Sequence, residues 1–234
     1  MFIARGALNL RQTTISGNSG VGGNVGVGIN YNTISGGSSE GAGVFVANGQ
    51  INVTNSTIFE NTASGGREGI FVPCGLGCTH WERGGDAAGG GLYISRGGVF
   101  LAGDTVASNQ ALVTTSGTAP GTSQGGGITN SGAGLFINTT LVGHNSQNSG
   151  DPNNGDDVSG KITSAYSLIS QTAGATVTDH GGNLFNVDPS LDPNGLQFNG
   201  GPTQTVALQR SSPAIDAVPV AACLLIHRSL ATIL

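Results

Sequence analysis

Apolar residues in this chain fall in short bursts, each closed by a break rich in Gly, Asn, Ser or Thr. Residues 41–63 read GAGVFVANGQINVTNSTIFENTA, residues 89–111 read GGGLYISRGGVFLAGDTVASNQA, and residues 125–147 read GGGITNSGAGLFINTTLVGHNSQ. The three segments superpose without a gap over 23 residues each. Val44, Leu92 and Ile128 coincide; so do Ile51, Val99 and Leu135; Val53, Leu101 and Ile137; and Ile58, Val106 and Val142. The first two bursts of each unit alternate with period 2 and the third is a single Ile or Val, a pattern that predicts strands. Helix is disfavoured over most of the length, because each interior Gly costs about 1 kcal/mol relative to Ala.

Strands this short cannot bury a core alone. Stacked on identical neighbours, three strands per unit form three parallel sheets around a shared apolar interior, with coils about 4.8 Å apart. The reading is an all-β parallel β-helix, a solenoid of roughly six to eight coils. Gly41, Gly89 and Gly125 open the units at a corner where Gly supplies positive φ. Asn61, Asn109 and Asn145 coincide, and Asn18 joins them from the stretch RQTTISGNSG. Repeated at one corner, these four asparagines predict a hydrogen-bonded ladder of the kind that stabilises cross-β stacks. The residue before each is Gly17, Glu60, Ser108 or His144, and this variation fits an outward scaffold position better than a site.

A weaker copy, VGVGINYNTISGG at 25–37, shares Val27, Ile29 and Ile34 but loses the asparagine. Sliding the unit back places Phe2 on Phe45, Ile3 on Val46, Leu8 on Ile51 and Asn18 on Asn61. The chain thus starts inside a coil, and the expectation is a fragment, or an internal-start product, of something longer, since an uncapped end exposes strand edges. The segment 64–88 interrupts the repeat and carries the one Trp together with Cys74, Cys78 and His80. Insertions map to loops on one face of a solenoid, often the binding face, so Cys74, Cys78, His80 and Trp81 form the candidate partner loop. The coils and this insertion account for 1–171.

Composition narrows the function classes. Gly is 42 of 234 residues and charged residues are 9%, yet the apolar fraction is 37%, too high for a disordered linker. One lysine, Lys161, scattered arginines and a net charge of −5 argue against nucleic acid, which calls for a basic stripe. No apolar run approaches the ~20 residues of a transmembrane helix, and the N-terminus lacks the form of a signal peptide. Three cysteines are too few for a disulfide scaffold, and if Cys74 and Cys78 pair within their loop, Cys223 is left over.

Residues 156–217 contain DDVSGKITSAYSLIS, GATVTDHGGNLFNVDPSLDP and NGGPTQTVALQRSSPAIDA. Together these phrases resemble the C-terminal part of bacterial right-handed β-helix surface proteins with a choice-of-anchor, Q-type region. The repeats are similar to those of polymorphic outer-membrane proteins, whose Gly-Gly-Ala-Ile and Phe-x-x-Asn phrases match GAGV…IFEN and GGGL…VASN. The resemblance implies a right-handed, pectin-lyase-like β-helix, export and display at the bacterial surface or outer membrane, and no defined catalytic residues. It divides the rest of the chain into last coils and C-terminal family region at 172–217 and a departing tail at 218–234. That tail, VPVAACLLIHRSLATIL, stands where the family continues into an anchor, and reads as a frameshift or gene-prediction artefact.

Each chemical candidate meets a simpler reading. Asp151, Asn153, Asp156 and Asp157 in SGDPNNGDDVSG offer oxygen ligands suited to Ca²⁺, but without the loop spacing of a dedicated site, and an Asn/Asp/Gly turn explains them. The VDPSLDPNG stretch reads as two Asp-Pro turns. Cys74, Cys78 and His80 lack a fourth zinc ligand, and an exported loop favours a disulfide. Asp179-His180 has no accompanying nucleophile, Glu60 and His144 share one repeat position, and Asp104 stands alone in its unit.

The first functional expectation is a non-catalytic surface module, a stiff stalk or adhesion scaffold contacting a surface glycan or another cell-surface protein, with no cofactor required. The second is a polysaccharide-acting lyase or glycoside hydrolase, because the same architecture hosts both. The absence of Asp or Glu recurring on one strand face weighs against the second.

Overall fold

The computed structural model describes residues 1–25, 35–69, 83–114, 119–220 and 222. Among these residues the protein is all-β with almost no helix. Four sheets are built of parallel strands, with ten, six, four and three members, and a fifth is an antiparallel pair.

The second coil shows the plan. Ser39–Glu40, Val44–Val46, Gln50–Thr54, Thr57–Phe59 and Thr62–Ser64 follow one another around it. Each strand pairs in parallel with its counterpart in the third coil, and the register is that of the sequence repeat. Leu92 lies opposite Val44 and Ile128, Val99 opposite Ile51 and Leu135, and Val106 opposite Ile58 and Val142. The first coil joins with Phe2 opposite Phe45, Leu8 opposite Ile51 and Ile15 opposite Ile58. Six strands in the sheet that holds Ile58 mark six coils, the last two carrying Leu168–Ile169 and Leu184–Phe185 there. Stacked parallel strands of this kind make the chain solenoid-like.

The sheets differ in number from the three expected. Two further columns of short strands exist, one around Ala63 and one around Ala87. Thr62–Ser64 and Ala87–Ala88 therefore make the two ends of the 64–88 segment part of the stack. The first two bursts also share one ten-stranded sheet, for a local reason. From Asn130 to Phe136 the fourth coil advances six positions, whereas from Gly160 to Thr163, their partners, the fifth advances three. With its corner deleted, Val158–Ala165 runs straight through and joins both columns.

Alternate residues point inward. Val46, Ile94, Leu101, Ile128, Ile137, Val142 and Ile169 are among those fully buried in one contiguous core. Each such side chain contributes roughly 2 kcal/mol on burial. Their outward neighbours also stack from coil to coil: Phe2 on Phe45 and Phe45 on Tyr93, with ring centroids 5.4 and 5.2 Å apart, and Phe100 on Phe136 at 5.4 Å.

The sheet holding Ile58 is apolar on both sides. Its outer residues Phe59, Ala107, Leu141 and Leu168 pack against Leu191 and Val206 of the antiparallel pair Leu191–Gln197 and Thr205–Leu208. After the sixth coil the chain thus folds back along the stack, as far as the first coil, where the Thr14 hydroxyl donates to the Gln204 carbonyl at 2.7 Å. The 172–217 region is accordingly one coil followed by a fold-back hairpin. The weak repeat at Val27, Ile29 and Ile34, and nearly all of the 218–234 tail with Cys223, lie outside the described residues.

Candidate functional site

The corners flanking the Ile58 column carry two rows of polar side chains, and a crevice opens beside one of them. The first row holds Asn18, Asn61, Asn109 and Asn145. Asn61 Oδ1 accepts the backbone N–H and the Nδ2 of Asn18 at 3.1 and 2.7 Å. Asn109 Oδ1 accepts both from Asn61 at 3.0 and 2.9 Å, and Asn145 Oδ1 both from Asn109 at 2.9 Å. Each Nδ2 from Asn61 onward also donates to the carbonyl two residues back and to one in the preceding coil, as Asn109 does to Ala107 and Ile58. Asn61 and Asn109 are completely buried, so the satisfied amide is what makes that burial tolerable.

Space for the row comes from glycine. A Cβ on Gly43, Gly91 or Gly127 would stand 3.0, 2.9 or 2.7 Å from the Cγ of the asparagine in its own coil. In the fifth coil the arrangement is exchanged. Thr172 follows Ile169 where asparagine is expected, and Asp157 precedes Val158 where glycine is expected. The Asp157 carboxylate fills the vacated slot. Its Oδ1 accepts the N–H and Nδ2 of Asn145 at 3.1 and 2.9 Å, and its Oδ2 accepts the Ser170 hydroxyl and the Gln171 N–H at 2.5 and 2.8 Å. Burial pushes the Asp157 pKa up, against the lowering by its Ser170, Asn145 and Gln171 donors.

A second row runs Thr13, Ser56, Asp104, Thr140, Ser167 and Asn183. The backbone N–H of each donates to the side-chain oxygen of the next, at 3.1, 2.7, 3.2, 3.1 and 2.9 Å in turn. The hydroxyls of Ser56, Thr140 and Ser167 turn back to the carbonyl two residues earlier. Asp104 has no hydroxyl, and its Oδ2 accepts the Ala102 N–H at 2.8 Å instead. Burial raises its pKa to about 7, although the Ser56 and Ala102 N–H groups pull it back down. Sequence reasoning left Asp104 standing alone, because Ser, Asp, Thr and Asn share a geometry here rather than a chemical type.

Both corners require left-handed backbone. Glu60, Ser108 and His144 have φ of 52, 56 and 58°, in line with Gly17 at 66°. At the other corner Asn55, Gly103, Thr139 and Tyr166 have φ of 49, 69, 45 and 49°. Asn and Gly tolerate this conformation, whereas for a β-branched Thr or a bulky Tyr it costs roughly 1–2 kcal/mol.

Beside Thr139 and Tyr166, between the corners of coils three to six and the fold-back hairpin, lies a crevice of about 240 Å³. Thr105, Leu141 and Leu168, in-register neighbours in the sheet, line it from the coils together with Thr139 and Tyr166, and Val206 and Leu208 line it from the hairpin. Gly182 lets the Tyr166 ring lie against the backbone, since a Cβ there would sit 2.3 Å from the ring.

The remaining candidates are dispersed. Asp151 Oδ1 accepts the N–H and Nδ2 of Asn153, a local turn, while Asp156 Oδ1 accepts the Gln147 N–H and Asp157 is committed to the asparagine row. No group of three His, Cys, Asp or Glu side chains suited to a metal occurs among the described residues. Asp188 and Asp192 each accept an N–H two residues on, the Asx-turn habit. Asp188 also accepts from His144 at 3.0 Å, joining the hairpin to the fourth coil. Asp179 accepts from Gly181 and Asn183, and the His180 ring meets Phe136 edge-on. Glu60 is exposed. Cys74, Cys78, His80 and Trp81 lie outside the described residues. No helix among the described residues is long and apolar enough to cross a membrane. Comparison with protein-family models, with curated proteins and with solved structures found no match to this chain.

Proposed function

We propose that the chain is a right-handed, pectin-lyase-like parallel β-helix that acts as a non-catalytic module of the bacterial surface, a stalk or adhesion scaffold. The observation that carries the reading is the use made of the two most deeply buried carboxylates. Asp104 and Asp157 accept hydrogen bonds on all four oxygens, each occupied by at least one backbone N–H, so both serve stacking. Rows of this kind tie each coil to the next and stiffen a rod, which is what a stalk needs. The resemblance of the NGGPT…SPAIDA phrase to exported β-helix proteins supports display outside the cell, with a surface glycan or another surface protein as partner. The test is turnover by the purified chain on pectins, alginates and chondroitins, together with labelling of intact expressing cells by a membrane-impermeant reagent. Labelling without turnover is expected. Turnover that disappears on mutating Asp or Glu residues would replace the scaffold by a polysaccharide-acting enzyme.

A further inference from the structure

We propose that the fold-back segment 187–217 is a strap that opens and closes as one unit while the coils stay stacked. The proposal goes beyond the scaffold reading, which needs only the coils. The segment is closed on itself. Its two strands pair Leu191 with Leu208, Leu196 with Val206 and Gln197 with Thr205. The Gln209 N–H donates to the Ser190 carbonyl at 2.8 Å, and the Ser212 hydroxyl donates to the Pro189 carbonyl. Among the described residues, no backbone hydrogen bond joins the segment to the coils. Two polar links cross that boundary, from the Thr14 hydroxyl to the Gln204 carbonyl and between His144 and Asp188. The second is exposed to water, where such a pair contributes little. Coils two and three, by contrast, are joined by parallel ladders in five strand columns and by both polar rows.

Apolar contact holds the segment down, and that contact is shallow. Leu191 and Val206 are buried in it, with Leu196 and Ala214 half-buried beside them. The crevice of about 240 Å³ lies in the same contact, so packing is incomplete where Val206, Leu208 and Ala214 face the coils. The hinge falls where the stack stops holding the chain. Asn186 is still bound to the fifth coil: its N–H donates to the Ile169 carbonyl, and its Oδ1 accepts the Thr172 N–H and hydroxyl, all at 3.0 Å. Asn186 and Ser190, with φ of 57 and 49°, bracket the three residues that would turn. Opening there uncovers Phe59, Ala107, Leu141 and Leu168, one apolar residue from each of coils two to five. It also frees Thr14 of the first coil. The strap thus covers a face and ties the first coil to the sixth, and one local opening undoes both.

Native-state hydrogen exchange of the full chain tests this, read by mass spectrometry at urea concentrations below the global transition. A two-stranded hairpin is marginal by itself in water, so its amides lose protection when the strap leaves the coils. Peptides spanning 189–209 should exchange at least about tenfold faster than peptides spanning 92–102, and with a weaker dependence on urea. Val206→Asp, which puts a charge into the docked contact, should speed the hairpin peptides about tenfold further and leave the 92–102 peptides as in the parent. Equal rates and equal urea dependence for the two regions in the parent would overturn the proposal, because the hairpin would then open only with the stack. So would a rise in the 92–102 peptides of Val206→Asp that matches the rise in the hairpin. Neither result bears on surface labelling or turnover, which test the scaffold reading.

Discussion

Asn145 hands its side-chain amide to Asp157, Nδ2 to Oδ1 at 2.9 Å, across the boundary where the sequence repeat ends. The asparagine row has a direction, with each amide nitrogen pointing to the oxygen of the next coil. A row with that direction needs an acceptor at its far end, and a carboxylate is acceptor on both oxygens. Asp157 meets the need from the opposite side of the corner, in place of a glycine. The repeat therefore ends in sequence at 147 but continues in hydrogen bonding through the fifth coil.

Asp157→Ala should consequently be among the most damaging single changes in the chain. It leaves the Asn145 N–H and the Gln171 N–H without acceptors in a buried corner and removes one of the three acceptors of Asn145 Nδ2. A loss of about 3 kcal/mol is expected, read as a shift in the urea midpoint. Adding Asn145→Ala should cost less than the sum of the two single changes, because the pair shares its bonds.

Asn109→Asp inverts the logic in the middle of the row. The new oxygen faces the Ile58 and Ala107 carbonyls, which Nδ2 now bonds at 3.0 Å each. Acceptor against acceptor, in a completely buried place, should cost more than the ~3 kcal/mol of Asn109→Ala at neutral pH. Lowering the pH should recover part of the loss in Asn109→Asp alone, since only its carboxyl becomes a donor on protonation. Thermal melts of the two variants at pH 4 and pH 8 compare them.

Much of this stack was legible in the sequence, for a physical reason. In-register parallel coils place like residues on like, so Val44, Leu92 and Ile128 had to be interchangeable and a gapless alignment was also a register. Two kinds of feature escaped. The second polar row mixes Ser, Asp, Thr and Asn, because its requirement is an acceptor oxygen two or three bonds from Cα, and residue type does not display that. The fold-back hairpin and its crevice escaped because the hairpin pairs with itself and packs on the outside of the stack, where no repeat constrains it. The outer apolar residues Phe59, Leu141 and Leu168 were the available signal, since an exposed sheet face has no use for them.

Gly91→Ala tests the claim that glycine makes room for the row. The added Cβ would lie 2.7 Å from the Gly127 carbonyl oxygen and 2.9 Å from Asn109 Cγ, so backbone or row must move. A cost of about 2–3 kcal/mol is expected. Gly132→Ala is the control, with its nearest neighbour at 3.7 Å, and should stay within about 0.5 kcal/mol of the parent. Equal midpoints for the two variants would remove steric exclusion as the reason for these glycines.

Asp104 should set the pH dependence of stability. Its folded pKa is about 7, above the ordinary 3.8, so between those values the folded state holds a proton that the unfolded state has released. Stability from this group is then greatest below pH ~4, falls as pH rises through the window, and is constant above about 7, a total of roughly 4 kcal/mol. Asp157 and Glu40 are shifted the same way, mainly by burial, and add to the decline. Asp104→Thr places at this position the residue that the fourth coil already uses, with an oxygen to accept the Ser56 N–H and a hydroxyl to turn back as Thr140 does. It also leaves the Ala102 N–H without its carboxylate partner, a loss of about 1 kcal/mol, smaller than the removed cost of burying a charge. Urea midpoints measured from pH 4 to pH 8 should fall less steeply in the variant than in the parent. The variant should be the more stable at pH 8 and lose that advantage toward pH 4; parallel profiles would show that Asp104 ionises normally in the folded chain.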